Sequence, residues 1–445
     1  MSDPAHPVQT DTLTESPMLT PHESLNVNVK RGLLAAVNGN PSTEPGLVSI
    51  YDAHADCRHP VLQSTSPVAR LGHESGFSED GKTFYATATS TQSITAIDVT
   101  DPKAPHAIWQ GNILSHGMSL SDDGNRAFLA DATGGDMVIL DTSQIQARKP
   151  NPQTREIARL TWASASIPQN AIPFTENGKP YVLEFDEYTA ATLHPGAGDP
   201  DAVGAGRIID ISNETQPRVV SNLRLQVNQV ADHKAAAGDP GANSPVQGYA
   251  AHYCNIPTRV DPKIVACSFI ASGLRLFDIS DVTAPKEIGY FVAPTIPATE
   301  NGYQGSDYAM SMPAFAPARH EVWYSDGTSG FYALRVDPSV WPVTKASSKA
   351  PSHLGLPSSR RCASRRGFTI HLRAPHGQSL SSARVYVGSK RVRVLSGARL
   401  RARVVLRGLP KGAVRVRIVA TTTGGRTVTE ARTYHTCVPR PHARG

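Results

Sequence analysis

Apolar and polar positions alternate in short runs along the first three quarters of the chain, and the runs recur. Gly273-Leu274-Arg275-Leu276-Phe277 is one of them. Its apolar positions do not fall three and four apart, so it predicts a half-buried or buried β-strand instead of a helix. The run leads into a phrase: Asp, a Val/Ile–Ser/Thr pair, a few turn residues, Pro, and another apolar run. The phrase reads Ile97-Asp98-Val99-Thr100-Asp101-Pro102-Lys103-Ala104-Pro105. It returns as Ile209-Asp210-Ile211-Ser212-Asn213-Glu214-Thr215-Gln216-Pro217 and as Phe277-Asp278-Ile279-Ser280-Asp281-Val282-Thr283-Ala284-Pro285, with Asp and Pro seven apart in each copy. Asp and Ser/Thr oxygens accept backbone N–H groups in a turn. Pro lacks a donor and so begins a strand at a sheet edge. Glu287-Ile288-Gly289-Tyr290-Phe291 is therefore expected as an outermost strand.

A second element completes the unit. Gly72 to Tyr85 and Ser115 to Phe128 each read strand, tight turn, strand, with Asp80-Gly81 and Asp123-Gly124 at the turns and Asn177-Gly178 in the next copy. Both central residues of such a turn can take positive φ, which makes it a hairpin signal. Two hairpin strands and the two flanking the Asp…Pro turn make four. Four strands repeating every roughly 40–50 residues are propeller blades.

Inner strands are expected to start near His22, His73, His116, Gln169, His252 and Tyr308, which gives six blades. The first residues, Ser2-Asp3-Pro4-Ala5-His6-Pro7-Val8-Gln9, align with Thr100 to Ala107, so the chain opens inside the phrase. Either this strand completes the last blade and closes the ring, or an upstream blade and leader precede it. The second reading is favoured, because Cys57 then has a partner upstream. The expected fold class is all-β: a six-bladed, or N-truncated seven-bladed, β-propeller over 1–340, then a small C-terminal β-sandwich. Residues 341–360 read as a Pro/Ser/Ala-rich linker. Short alternating strands over 361–438, such as Ala413-Val414-Arg415-Val416-Arg417-Ile418-Val419, supply the sandwich.

The net charge of +6 conceals an asymmetry. From Trp341 onward there are 22 Lys+Arg and a single acid, Glu430, which leaves 22 basic against 37 acidic residues before it. A basic module of this kind attracts polyanions such as cell-wall polymers, lipid head groups or nucleic acid; a compositional bias of the genome is the plainer explanation. Among the five cysteines, Cys254 and Cys267 flank a hairpin and Cys362 and Cys437 bracket the C-terminal module. Two pairs, Cys254–Cys267 and Cys362–Cys437, with Cys57 left over, point to an oxidising compartment; buried free thiols are the alternative. No C-x-x-C is present, which argues against a zinc ribbon or a thioredoxin-like site. No run reaches the ~18 apolar residues of a transmembrane helix, and the first 30 residues lack a signal peptide's basic and apolar regions.

The candidate chemistry lies at one recurrent slot. His22-Glu23, His73-Glu74, His116 and His252 each begin an inner strand, and Gln169 and Tyr308 take the slot in the remaining repeats. Inner strands line the propeller axis, so these side chains converge on one mouth of the channel. Imidazoles and carboxylates there suit one divalent or copper ion held by His22, His73, His116 and His252, or else a polar small molecule or ordered water. The plainer alternative is that each His hydrogen-bonds the backbone of a neighbouring blade. Gly72-His73-Glu74-Ser75-Gly76 does not match a nucleophile elbow, since its serine is one place off and a strand follows. The long insertions 190–206 and 229–248 carry either binding or disorder.

The run Ser272 to Asp281 and its copies resemble the LVIVD-repeat family of bacterial β-propellers over residues 1 to about 340. That resemblance implies an extracytoplasmic, repeat-built protein without a firmly assigned activity. The basic module resembles Ig-like domains appended to secreted bacterial proteins. The His-at-blade-start pattern is similar to the selenium-binding/methanethiol oxidase propellers, which use copper, and this extends only to His22, His73, His116 and His252. The expected function is a non-enzymatic, secreted or cell-surface binding propeller with no specific nucleic-acid partner. It is expected to be monomeric and held near an envelope polyanion or surface partner by its basic domain. A metal-dependent, copper-like oxidoreductase is the alternative.

Overall fold

The computed structural model describes residues 3–39, 45–132, 134–162, 165–189, 202–236, 238–242, 247–294, 307–338, 340–341, 354–356, 366–374, 379–388, 390–401, 404–410, 412–423 and 427–436. Two compact units divide the chain at Pro342/Val343.

The first unit is a β-propeller of antiparallel sheets in chain order. Among the described residues, five four-stranded sheets span 26–69, 75–111, 118–161, 167–223 and 251–291, and a three-stranded one spans 314–335. In each, consecutive strands pair with one another, and the first strand neighbours the first strand of the next sheet around the axis, from Asn26–Asn28 through Ser75–Phe77, Met118–Leu120 and Ile167–Glu176 to Ala251–Asn255. Between sheets the faces are apolar: Val48 and Ile50 of the first sheet share a core with Phe84 and Ile97 of the second. Burial of these faces is what drives the ring together.

The recurrent phrase encodes a bulge and a capped turn. In all five four-stranded sheets the ladder between third and fourth strands shifts at Ile50/Tyr51, Ala96/Ile97, Ile139/Leu140, Ile208/Ile209 and Leu276/Phe277. These are the two positions immediately before Asp52, Asp98, Asp141, Asp210 and Asp278. Each Asp Oδ1 then accepts the N–H two residues on, from His54, Thr100, Ser143, Ser212 and Ser280, at 2.7–3.0 Å. A bulge adds twist, and the Asx turn supplies the partner that the ending ladder no longer gives.

The hairpin turns divide into two kinds. Asn177 and Gly178 both take positive φ, at 52° and 78°, as a two-residue turn requires. At Asp80-Gly81 and Asp123-Gly124 only the glycines do, at 67° and 72°. There the Asp carboxylate accepts from Ser78 Oγ and Lys82 N, or from Ser121 Oγ and Asn125 N, and widens the turn. The opening segment also departs from expectation. Ala5 N donates to Asp3 Oδ1, so the Asp turn survives, but residues 3–14 form no strand and do not complete the sixth sheet. Pro4 and Pro7 lack ladder donors and Val8 stays 81% exposed, so nothing pays for pairing.

The second unit holds a four-stranded antiparallel sheet in the order Lys390–Ser396, Leu380–Val387, Gly412–Thr422, Thr427–Thr436, and a strand pair Phe368–Ile370 with Val404–Leu406. Val385, Val416, Ile418, Ile370 and Tyr434 share its core with Leu354 and Leu356. Those two leucines lie in the stretch whose composition reads as linker, and Glu430 Oε2 accepts both of their N–H groups, at 3.0 and 3.3 Å. The expected Cys362–Cys437 pair falls outside the described residues.

Candidate active site in the axial cavity

Each side chain of the slot is aimed by the strand it precedes or opens. His116 Nδ1 donates to Pro168 O of the next sheet at 2.9 Å, and His252 Nδ1 to Met310 O at 2.6 Å. The backbone bond anticipated as the plain explanation is therefore present, and it serves to point Nε2 the other way. His252 Nε2 lies 2.9 Å from Glu187 Oε2 and 3.3 Å from Glu23 Oε1, and His116 Nε2 lies 3.4 Å from Glu187 Oε1. His73 Nε2 lies 3.0 Å from Glu23 Oε2. Gln169 Nε2 donates to Glu23 Oε2 and to the Tyr253 hydroxyl, both at 2.8 Å. Asn170 Nδ2 donates to Glu74 Oε1.

Glu23, His73, Glu74, His116, Gln169 and His252 are thus brought into one network. His22 sits at its exposed rim with φ 50°, its ring 4.1 Å from that of His73. Tyr308 stands apart on the cavity wall, where its hydroxyl accepts from Gln247 Nε2 at 2.6 Å. Glu187, Asn170, Tyr188 and Tyr253 were not anticipated. Glu187 ends the strand Lys179–Glu187 and is fixed there by its neighbours: Ser166 Oγ donates to the carbonyls of Glu187 and Tyr188, and Ser166 N to Asp186. The signal for it was present in Glu184-Phe185-Asp186-Glu187, three acids in a strand otherwise apolar.

The network lines a cavity of about 840 Å³ along the inner strands, with Glu23, Glu74, Asn170, Tyr188, His252 and Tyr253 in its wall. Burial alone would raise the Glu23 carboxyl, but hydrogen bonds from His252 and His73 outweigh it and hold the group well below the usual carboxylate range. Burial, reinforced by the Glu23 charge, pushes Glu74 well above that range. Burial works against the imidazolium of His252, yet hydrogen bonds to Glu187 and Glu23 raise it to about 10. Burial lowers His116. The wall accordingly holds two carboxyls pushed in opposite directions beside an imidazole whose charged form is favoured. Such divergence of neighbouring groups is the pattern of acid–base chemistry.

His22, Glu23 and His73 bring one ligand atom each within 4.8 Å of one another, a donor set that fits a borderline divalent ion. Glu23, however, spends Oε2 on His73 and Gln169 and Oε1 on His252. His116 and His252 turn to Glu187, so the four histidines do not converge on one point. The sulfurs of Cys254 and Cys267 stand at bonding distance across the first two strands of the fifth sheet. No helix among the described residues is long and apolar enough to cross a membrane.

No family model matches the chain, and no curated protein matches it by sequence. Solved structures share its shape. The periplasmic gluconolactonase of Pseudomonas aeruginosa is 16% identical and superposes with a TM-score of 0.51, covering 74% of this chain and 84% of its own. A protein from Lactobacillus plantarum is 11% identical with a TM-score of 0.52, covering 72% and 82%. A putative 6-phosphogluconolactonase from Bacteroides fragilis is 13% identical with a TM-score of 0.43, covering 71% and 84%. The first two likenesses are of fold, and the first of them is to an enzyme. That finding corrects the expectation of a non-enzymatic binding protein. The physical reason lies in the slot, whose histidines and glutamates pair with one another across an open cavity. The chain is a β-propeller whose fold is similar to that of a periplasmic gluconolactonase, with an ionisable axial cavity.

Proposed function

We propose that the propeller is a small-molecule hydrolase acting on lactones. One observation carries this reading: Glu23 and Glu74 line the same cavity beside His252, the first held below and the second raised above the usual carboxylate range. Lactone hydrolysis uses these three groups. Water adds to the ring carbonyl, and Glu23 takes its proton. Protonation of Glu23 removes one of the two carboxylates that face the His252 imidazolium, whose charge then offsets that of the tetrahedral oxyanion. The ring C–O bond then breaks, and Glu74 protonates the departing oxygen as general acid. Proton return from Glu23 to Glu74 resets the site. The fold likeness to a gluconolactonase supports the choice of lactones among small esters. Turnover of glucono-1,5-lactone by the purified full chain, read by acid release against the spontaneous rate, tests it. A rate no higher than the spontaneous one for a panel of aldonolactones would sink the reading.

The finer sequence readings fit beside this. An LVIVD-type repeat is supported by the bulge-and-turn phrase common to five sheets, and an extracytoplasmic home by the Cys254–Cys267 approach. Attachment to an envelope polyanion is supported by one face of the second unit's sheet. There Arg391, Tyr386 and Arg417 stand in register across three strands, with the Arg417 guanidinium 4.4 Å over the Tyr386 ring.

A further inference from the structure

Inference from the cavity's charges leads beyond the reaction to the kind of lactone admitted. Among the described residues of the wall, Arg259 is the single Lys or Arg. One arm of its guanidinium is engaged, since Nη1 donates to Leu120 O at 2.6 Å and lies 3.3 Å from Asp122 Oδ1, which offsets its charge. The segment that carries it is pinned across the ring. Thr175 N donates to Arg259 O at 2.8 Å, Asp261 N to Thr175 O at 2.8 Å, and Asn177 N to Asp261 Oδ1 at 2.7 Å. Arg259 is therefore a strut between sheets and not a mobile cation. The His252 imidazolium faces two carboxylates, Glu187 and Glu23, which more than balance its charge.

The stretches of the first unit outside the described residues, 40–44, 133, 163–164, 190–201, 237, 243–246, 295–306 and 339, contain no Lys or Arg. Among the described residues the cavity thus carries carboxylate charge, and the one arginine of its wall is already paired with Asp122. A phosphate monoester needs such a partner, an Arg fork, a Lys or a helix N-terminus, to offset the loss of its hydration. Asn26, Asn170, Ser119 and Tyr253 offer instead the neutral donors and acceptors that hydroxyl groups pair with.

We propose that the cavity selects an uncharged polyhydroxy lactone and rejects its phosphorylated counterpart. This rests on the hydrolase reading, and the two are separable by experiment. Glucono-1,5-lactone and 6-phosphoglucono-1,5-lactone are compared as substrates of the full chain, and sorbitol and sorbitol 6-phosphate as inert ligands by calorimetry. The neutral lactone is expected to show at least about tenfold higher kcat/KM, because Coulomb repulsion in a partly buried site is weakly screened. Sorbitol is expected to bind more tightly than its phosphate. Met312→Lys, which puts a cation at a half-exposed wall position, is expected to shrink both ratios. Equal or preferential use of the phosphorylated lactone overturns the inference while leaving the hydrolase intact. If neither lactone turns over, the hydrolase reading fails and calorimetry still decides. Tighter binding of the phosphate, or binding of neither polyol, then overturns the charge preference.

Discussion

His252 is clamped between two sheets: its Nδ1 reaches Met310 O at 2.6 Å while its Nε2 stands 2.9 Å from Glu187 Oε2. Both ring nitrogens therefore donate, and the ring is held as the cation although buried. The same geometry that orients an electrophile across the cavity ties the fourth, fifth and sixth sheets together.

Stability should accordingly depend on pH in a definite direction. His252 is raised from 6.5 to about 10, so its contribution is full below pH 6.5 and is lost as pH rises through 10. Glu23 is lowered, so its contribution is present above its ordinary value and is lost in acid. Glu74, raised by burial, adds to the loss on the alkaline side. The melting temperature is expected to be highest near pH 4.5, to decline above it as Glu74 loses its contribution, and to fall further towards pH 10 as His252 does. His252→Gln should flatten the alkaline limb. A wild-type melting temperature constant from pH 6.5 to 10 would show that the cation is not stabilised as described.

Gly117 is required by close approach and not by its backbone angle. A β-carbon there would overlap both Glu74 Oε2 and Gln169 O. Gly117→Ala must displace the acid or the neighbouring inner strand, at a cost of about 1–3 kcal/mol. The expected outcome is a folded protein, by circular dichroism, with a lower melting temperature and at least about tenfold less lactone turnover. Unchanged kinetics would remove Glu74 from the reaction.

Metal is not needed for the ion-pair network around Glu23. Dialysis against a chelator is expected to leave lactone turnover within twofold, with no stoichiometric metal found by elemental analysis. Loss of turnover restored by one divalent ion would instead make His22, Glu23 and His73 a coordination shell.

The second unit should carry most of the affinity for polyanions. Arg391→Glu with Arg417→Glu reverses two charges on one sheet face. Elution from immobilised heparin is expected to fall to markedly lower salt, because such binding scales with the number of basic contacts. Lactone turnover should not change. Elution at an unaltered salt concentration would place the binding face elsewhere.

Much of the fold was legible because local chemistry and tertiary structure agree. The Asp of each phrase is followed by the Ser, Thr or other N–H it accepts, and the bulge falls at the same two residues each time, so repetition in sequence became repetition in space. His116 and His252 were legible for the same reason, as occupants of a repeated slot. Glu187 was not, because it joins the network from the end of a second strand and not from the repeated slot. Asn170 and Tyr253 were missed because each follows a slot residue directly and was passed over in favour of it. Leu354 and Leu356 lie in a segment with no strand period, so nothing in their spacing marked them as core. The turns at Gly81 and Gly124 differ from the expected type because the Asp side chain, which spacing alone does not describe, competes for the turn's donors. The protonation states of Glu23 and Glu74 depend on what surrounds them in space, and adjacent-residue reading cannot give them.

Lactone hydrolysis turns on Glu74 as a buried proton donor. Its most direct test is the pH–rate profile of glucono-1,5-lactone hydrolysis for the wild type and for Glu74→Gln, with folding verified by thermal melting. Catalysis at and below neutral pH is predicted for the wild type, with activity falling as alkali deprotonates Glu74. Glu74→Gln is predicted to lose at least about a hundredfold in kcat/KM, the usual worth of a general acid, and to lack that alkaline limb. A variant as active as the wild type, with the same pH profile, would contradict the account.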